Sequence, residues 1–268
     1  MTRSYHQKSK RKWPWIILLI LILAGAAALW YLYQENNTRR LPVSTEAGIS
    51  ASIVDSAPET IPDYSGEDTI ELNDGLPCFT SADLDIDVGE TYSSLDHLGR
   101  CGTAVVMLDR TMMPTQERGQ IGDVRPTGWV QNKYPGIIKS EPPYLYNRCH
   151  LIAYAMTGQN ANERNLITGT RYLNATTMLK YEEQILRYLD RSDNHVLYRV
   201  SPYFRGSELV ARGIELEAYS VEDNGKGICF HVFLYNIQPG IEIDYQTGEN
   251  WVKSMTENNE QLLSHVID

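Results

Sequence analysis

Apolar residues dominate the chain from Trp13 to Tyr33, and only Pro14 and Gly25 interrupt the run. A helix of this length spans about 31 Å, which is enough to cross a bilayer. Basic residues concentrate just before the run and would keep the N-terminus on the cytoplasmic side. The pattern therefore predicts a cytoplasmic segment at residues 1–12 and a transmembrane signal-anchor helix at residues 13–33.

A cleavable signal peptide is the alternative interpretation of the same segment. Its apolar core would be residues 16–23, and the small residues 24–26 would form the cleavage site. Because the apolar sequence continues past this site to Tyr33, the uncleaved anchor is favoured. Both interpretations place the rest of the chain outside the cytoplasm.

Residues 34–75 lack apolar periodicity and are rich in Ser, Thr, Pro and acidic residues. Such a composition buries too little apolar surface to offset the conformational entropy lost on folding. The pattern predicts a flexible acidic linker at residues 34–75.

From residue 76 to residue 252 the pattern is that of a folded α+β domain. The apolar run at residues 103–108 predicts a buried strand, and the Gly- and Pro-rich segment at residues 114–143 predicts mostly loop. Residues 171–191 contain no Gly or Pro and predict a helix, with four leucines near helical spacing: Leu173, Leu179, Leu186 and Leu189.

Three further runs alternate between apolar and polar residues, at 195–204, 208–221 and 228–237. Asn224 and Gly225, between the last two runs, are typical of a hairpin turn. The expected fold is α+β with an antiparallel β-sheet core, followed by a C-terminal tail at residues 253–268.

The net charge of −10 is distributed unevenly along the chain. Residues 1–109 carry −7, residues 110–212 carry +5, and residues 213–268 carry −8. A uniformly basic coat for nucleic acid is thereby excluded. A binder of a polyanion would instead use the middle third.

Four cysteines, Cys78, Cys101, Cys149 and Cys229, permit two disulfides outside the cytoplasm, with three possible pairings. Free buried thiols are equally compatible with the sequence. A zinc site is less favoured, because the chain has no C-x₂-C pair and its only adjacent Cys–His pair is Cys149–His150.

Polar residues suited to phosphodiester cleavage cluster in the basic third, at residues 147–150, 162–165 and 169–174. A neutral imidazole can take a proton from water, which makes His150 the candidate general base. The oxygens of Asn174 and Glu182 suit Mg²⁺, and their spacing places both on one side of the predicted helix. Arginine binds phosphate through a planar fork, and the candidates are Arg148, Arg164 and Arg171.

The run from Tyr146 to Tyr172 closely resembles the DNA/RNA non-specific endonucleases of the ββα-metal superfamily. It reads YNRCHLIAY through NANERNLITGTRY. Within that family the similarity is greatest to membrane-anchored DNA-entry nucleases of Gram-positive bacteria, and it extends from about Leu95 to Gly248. The resemblance implies a ββα-metal catalytic unit within residues 76–252.

The resemblance also implies a role for each matching residue. His150 is the general base, Asn174 is the direct metal ligand, Asn165 helps to position the site, Glu182 holds water at the metal, and Arg148 is the arginine of the motif. Arg118 and Arg125 both match an upstream arginine near the phosphate. The chain departs from the family pattern at Asn147, where many members have Asp, and at Cys149, where they have Gly.

The sequence thus predicts a membrane-anchored endonuclease that acts outside the cell on DNA and RNA and leaves 5′-phosphate products. Its expected cofactor is Mg²⁺, with Mn²⁺ able to substitute, and its expected partners are nucleic acid and the lipid bilayer. The runner-up is a non-catalytic surface protein with a degraded site. A cell-wall hydrolase would need a zinc or acid-pair site that the sequence does not offer.

Overall fold

The computed structural model describes residues 23–25, 27–29 and 61–254. The two short N-terminal pieces are helical. Among the described residues, no helix has the length and apolar character needed to span a membrane. The cytoplasmic segment at 1–12, most of the anchor at 13–33, the linker up to residue 60 and the tail from residue 255 lie outside the described residues.

A six-stranded antiparallel sheet forms the centre of the fold, with the strand order β1-β8-β7-β6-β3-β2. The expectation of an α+β fold with a large antiparallel sheet is therefore confirmed. The strands are β1 (Thr69–Glu71), β2 (Gly89–Tyr92), β3 (Ala104–Leu108), β6 (Val196–Tyr203), β7 (Gly213–Ser220) and β8 (Cys229–Tyr235).

The folded unit begins before residue 76. The predicted boundary is therefore corrected, because the last part of the predicted linker, residues 61–75, belongs to the described fold. Ile61 is buried, and β1 pairs with β8 through Ile70 opposite Phe233. A three-residue edge strand is held mainly by backbone hydrogen bonds, so it leaves little hydrophobic pattern in the sequence.

The three alternating runs form β6, β7 and β8, and the run at 103–108 forms β3, as the pattern predicts. Asn224 and Gly225 have φ angles of 56° and 74°, the left-handed values typical of this dipeptide. The connection is longer than a two-residue hairpin turn, since β7 ends at Ser220 and β8 begins at Cys229. Within it, Asp223 accepts hydrogen bonds from Ser220 Oγ at 2.5 Å and from the Lys226 backbone nitrogen at 3.1 Å.

Alternate residues of the sheet face two different layers. Even-numbered positions, such as Val106, Tyr198 and Leu216, belong to the main core, which also contains Leu173 and Ile185. Odd-numbered positions, such as Val105 and Leu197, pack against Phe79 on the opposite face. The sheet thus separates two regions of the molecule.

A second antiparallel pair consists of β4 (Tyr146–His150) and β5 (Leu166–Thr170), with His150 opposite Leu166. A π-helical turn (Leu173–Thr177) and then helix α2 (Met178–Leu189) follow, which completes a ββα unit. The remaining elements are α1 (Tyr154–Thr157), the pair β9 (Ile241–Ile243) and β10 (Asn250–Val252), and 3₁₀ turns at Asn73–Gly75, Asp83–Asp85, Arg110–Met112 and Glu163–Asn165.

The predicted helix exists, but the π-turn changes which of its residues face the core. Leu179 is 40% exposed, whereas Met178 and Ile185 are buried. A π-turn has more residues per turn than an α-helix, so it rotates the following residues relative to an uninterrupted α-helix. The prediction that Leu179 belongs to the apolar stripe was therefore wrong.

Asn236 joins the β4–β5 pair to the six-stranded sheet. Its Nδ2 donates to Thr168 O at 3.0 Å and to Ala211 O at 2.9 Å, and its Oδ1 accepts from Thr170 N at 2.8 Å. All three bonds are buried, and the two to Thr168 and Thr170 hold β5, the strand that leads into the helix.

Candidate active site

His150 is the last residue of β4 and is 5% exposed. Its Nε2 lies 2.8 Å from Asn160 O. Since a carbonyl oxygen only accepts, Nε2 carries the proton and Nδ1 keeps its lone pair. Arg118 Nη2 lies 3.0 Å from Nδ1 and donates to it. The structure therefore presents a neutral imidazole whose basic atom faces an exposed arginine.

Burial lowers the pKa of His150 to about 4, because it disfavours the charged imidazolium, and the nearby charge of Arg118 lowers it further. The hydrogen bond to the Asn160 carbonyl acts in the opposite direction but is outweighed. The ring is thus neutral, and able to accept a proton, throughout the range around pH 7.

We expect nitrogen-resolved NMR of the imidazole to show the Nε2–H tautomer at pH 6 and protonation only near pH 4. Arg118→Met should raise this midpoint, because it removes a positive charge beside Nδ1. A midpoint at 6.5 or above in the unsubstituted protein, or the Nδ1–H tautomer, would contradict the assignment.

Glu182 lies on α2 and is 8% exposed, and burial raises its pKa to about 7 despite the opposing charge of Arg118. Asn174 lies in the π-turn and is partly exposed. Within the described part of the chain, neither side chain forms a hydrogen bond. A buried carboxylate without a donor is costly unless a cation neutralises it. These oxygen donors therefore fit a hard divalent cation such as Mg²⁺.

Asn165 is fully buried and clamps the backbone just beyond His150. Its Oδ1 accepts from Ile152 N at 2.8 Å, and its Nδ2 donates to Ile152 O at 3.0 Å. Both ends of the amide are thus bound to Ile152, and the side chain is shielded from solvent. Asn165 thus positions the end of β4 and does not offer a group to a substrate.

Asn165→Ala should lower the free energy of unfolding by about 2–4 kcal/mol, because it leaves a buried N–H and C=O of Ile152 unpaired. Denaturant titration measures this loss. A large loss of activity with an unchanged free energy of unfolding would argue instead for a direct role of Asn165 in the reaction.

Arg148 is held by backbone carbonyls of a neighbouring loop. Its Nη2 donates to Gly122 O at 2.6 Å, and its Nε donates to Val124 O. The guanidinium also lies 4.6 Å from the centre of the Trp129 ring. Arg148 therefore fastens the loop that follows Arg118 onto β4, and its contact with a substrate phosphate stays a prediction.

Arg164, Arg171 and Arg125 are all exposed. Their guanidinium groups form no hydrogen bond or ion pair within the residues that the structure describes. Arg164 lies in the 3₁₀ turn before β5, and Arg171 directly follows β5. Both therefore flank β5 within the ββα unit, where their exposed guanidinium groups are available to a phosphate backbone.

None of the four cysteines, all of which lie in the described part of the chain, forms a disulfide. Cys149 is buried on the face of β4 opposite His150, and its Sγ lies 3.8 Å from Met178 Sδ. A side chain at position 169 would meet Cys149 Cβ at 2.5 Å, so Gly169 makes the space that the thiol side chain needs. Cys149 therefore neither obstructs the base nor forms a zinc pair with it.

Sequence reasoning left two arginines as equal candidates and missed the carbonyl that holds His150. Arg118 is the one that contacts the imidazole, whereas Arg125 lines a small pocket of about 280 Å³ beside β5. No local pattern distinguishes them, since each lies in the same loop. The Asn160 carbonyl belongs to the backbone, so no residue type in the sequence indicates its contact with His150.

The family follows from comparison with known proteins. A family model for DNA/RNA non-specific endonucleases matches residues 81–222, which is more than half of the 268-residue chain. The chain belongs to this family. All of the residues placed at the site, from Arg118 to Glu182, lie inside the matched range.

Individual relatives agree with this family. A deoxyribonuclease of Streptococcus dysgalactiae subsp. equisimilis is 28% identical over 130 residues, which are 44% of this chain and 38% of the relative. The endonuclease chain thus spans little more than a third of that relative.

Two solved structures share the fold. NucA from Streptococcus agalactiae with magnesium bound is 27% identical, with a TM-score of 0.60 over 68% of this chain and 87% of its own. The Sda1 nuclease with bound zinc is 26% identical, with a TM-score of 0.53 over 62% of this chain and 81% of its own.

Proposed function

We propose that this endonuclease hydrolyses DNA and RNA outside the cell in a Mg²⁺-dependent reaction that leaves 5′-phosphates. One observation carries the proposal: the lone pair of His150 Nδ1 lies beside an exposed cation, Arg118, while Glu182 and Asn174 offer unpaired oxygens. A base, a cation for phosphate and a hard-metal site are the groups that phosphodiester hydrolysis requires.

His150 would act by taking a proton at Nδ1 from the attacking water. The bond from Nε2–H to Asn160 O holds the ring and stabilises the imidazolium that results. As water attacks phosphorus, the bond to the 3′ oxygen breaks, so the phosphate stays on the 5′ side. Before this step Arg118 must leave Nδ1, and a substrate phosphate is the group that would attract it.

Asn174 and Glu182 are the residues that would hold the metal, with the Asn174 amide oxygen as the direct ligand. When bound, Mg²⁺ stabilises the negative charge that develops on the phosphate and the departing oxygen. Mn²⁺, which also prefers oxygen ligands, should substitute. The magnesium bound to NucA is compatible with this choice.

We also propose that residues 13–33 anchor the enzyme as a single-pass helix, with the catalytic domain outside. The support is the apolar run itself and the basic residues before it. Fractionation of cells before and after protease treatment of the surface tests this arrangement. Release of the protein into the medium with a new N-terminus near residue 26 would favour the cleaved signal peptide.

The test of the proposed activity is digestion of plasmid DNA and of unstructured RNA by the purified full chain. We expect cleavage of both with Mg²⁺, loss of cleavage with EDTA, and 5′-phosphate ends that DNA ligase accepts. Absence of cleavage under all metal conditions would instead support a non-catalytic binding protein.

Substrate binding should be electrostatic, because the exposed Arg164 and Arg171 present unpaired charges beside the site. We expect Arg164→Gln and Arg171→Gln to weaken binding of unrelated duplexes alike and to reduce the slope of log affinity against log salt by about 0.9 per lost phosphate contact. Arg187→Gln is the matched control, since Arg187 already pairs with Glu183 at 3.0 Å. A marked preference for one short sequence would contradict this mode of binding.

A further inference from the structure

A second group of metal-ligating side chains lies on the face of the sheet that is turned away from α2. One donor atom from each of Cys78, Glu217 and His231 lies within 4.8 Å of the other two. Glu217 and His231 are register partners on β7 and β8 at odd-numbered positions. This is the face covered by Phe79, so the sheet itself separates the group from the active site.

Two of the three groups already lie near the spacing of ligands on one tetrahedral ion. Cys78 Sγ lies 3.9 Å from His231 Nδ1. A thiolate and an imidazole bound to one zinc ion, at about 2.3 Å and 2.0 Å, are separated by roughly 3.5 Å. The observed distance between the two atoms therefore exceeds that of two ligands on one zinc ion by only a few tenths of an ångström. Cys78 is exposed, which gives an ion a path from solvent.

The neighbouring groups are those that support a metal-bound histidine. His231 Nε2 lies 2.5 Å from Glu215 Oε1, and a carboxylate on the far nitrogen orients such a ring. Glu217 is fixed by an ion pair with Arg199 at 2.5 Å. The second oxygen of Glu215 is buried and has no hydrogen-bond partner in the described part of the chain.

The net charge of this group of side chains is the same whether it holds a divalent ion or the two protons that the ion would displace. Without metal, His231 Nδ1 donates to Leu76 O at 3.1 Å while Nε2 donates to Glu215, so the ring carries two protons and a positive charge. The two carboxylates are then balanced by this ring and Arg199. An ion of charge +2 that displaces one proton from Nδ1 and one from the Cys78 thiol leaves the group neutral again.

We propose that Cys78, Glu217 and His231 form a zinc site that fastens the segment around residue 78 to the sheet. A thiolate, an imidazole and a carboxylate are ligands that Zn²⁺ accepts, whereas Mg²⁺ takes oxygen ligands. Water completes the tetrahedron. The two displaced protons pass to solvent, and no redox change accompanies binding. This site is independent of the nuclease reaction.

Cobalt is the probe that tests the site, because a thiolate ligand gives Co²⁺ an intense charge-transfer absorption in the near ultraviolet. The reduced full chain is first freed of metal with a chelator and then titrated with Co²⁺. We expect one equivalent to produce this band and Zn²⁺ to abolish it. Zn²⁺ should also raise the midpoint of thermal unfolding by several degrees, since it binds only the folded state.

Cys78→Ser should lose both the band and the stabilisation by Zn²⁺, and it should fold normally because position 78 is exposed. Cys149→Ser is the matched control, because Cys149 is the thiol of the active-site unit, and it should retain both signals. A band that disappears with Cys149→Ser, or that persists in Cys78→Ser, would overturn the proposal. So would the absence of a charge-transfer band in the unsubstituted protein.

Discussion

His150→Ala should lower kcat by about 10²–10⁴-fold, which is the usual contribution of a general base. The imidazole supplies the only neutral nitrogen base that the described structure places beside Arg118. The fold should survive, because β4 is paired along its whole length with β5. Initial rates on plasmid DNA, together with a thermal unfolding curve of the same preparation, measure both effects.

Added imidazole provides the specific check on this assignment. Alanine leaves a space in which free imidazole can act as the base, so partial recovery of the rate is expected. His97→Ala is the matched control, since His97 is exposed and lies outside the ββα unit. A His150→Ala variant that remained close to fully active at every pH would exclude His150 from the reaction.

Asn174→Ala should raise the Mg²⁺ concentration needed for half-maximal rate by about 10–100-fold and should lower the maximal rate. The reason is that its amide oxygen has no other partner in the described chain and is the proposed direct ligand. Glu182→Gln should act in the same direction but less strongly. Rates measured over a wide range of Mg²⁺ concentrations separate the metal requirement from the maximal rate.

Glu183→Gln is the control for these variants, because Glu183 is the exposed neighbour of Glu182 and pairs with Arg187. Its Mg²⁺ dependence should match that of the unsubstituted enzyme. Since the protein offers one direct ligand, calorimetry should show only weak Mg²⁺ binding in the absence of nucleic acid. Tight stoichiometric binding of Mg²⁺ at the active site would contradict this site.

The strands with strong patterns were predictable, because burial imposes a regular period on the sequence. Strand β3 is buried at every position, and β6 to β8 follow their alternating runs. Strand β1 was not predictable, since three residues are too few to show a period and its partner β8 lies far along the chain. The sequence also did not indicate the π-turn, because the turn changes the helical period only locally. Among the four leucines of the predicted helix, Leu179 shows its effect by being exposed.

The residues of the candidate site also fall into those that the sequence indicates and those that it does not. The sequence points to His150, Asn174 and Glu182 because each carries a chemical group that phosphodiester hydrolysis requires, and their roles stay predictions. The sequence could not indicate the carbonyl contacts of Arg148, because an arginine that binds backbone carbonyls has the same sequence signal as one that binds phosphate. The choice between Arg118 and Arg125 depends on how a loop folds over β4, and no short-range pattern records that.

The amide of Asn236 has a consequence for how the enzyme loses activity on heating. Asn236 directly follows β8, and its amide binds two backbone groups of the catalytic hairpin, at Thr168 and Thr170, and one at Ala211. Because the hairpin cannot detach from this end of the sheet without breaking the two buried bonds to β5, its melting should be cooperative with that of the sheet. Heat inactivation should therefore coincide with global unfolding, whereas an enzyme whose catalytic elements are attached loosely loses activity at a lower temperature.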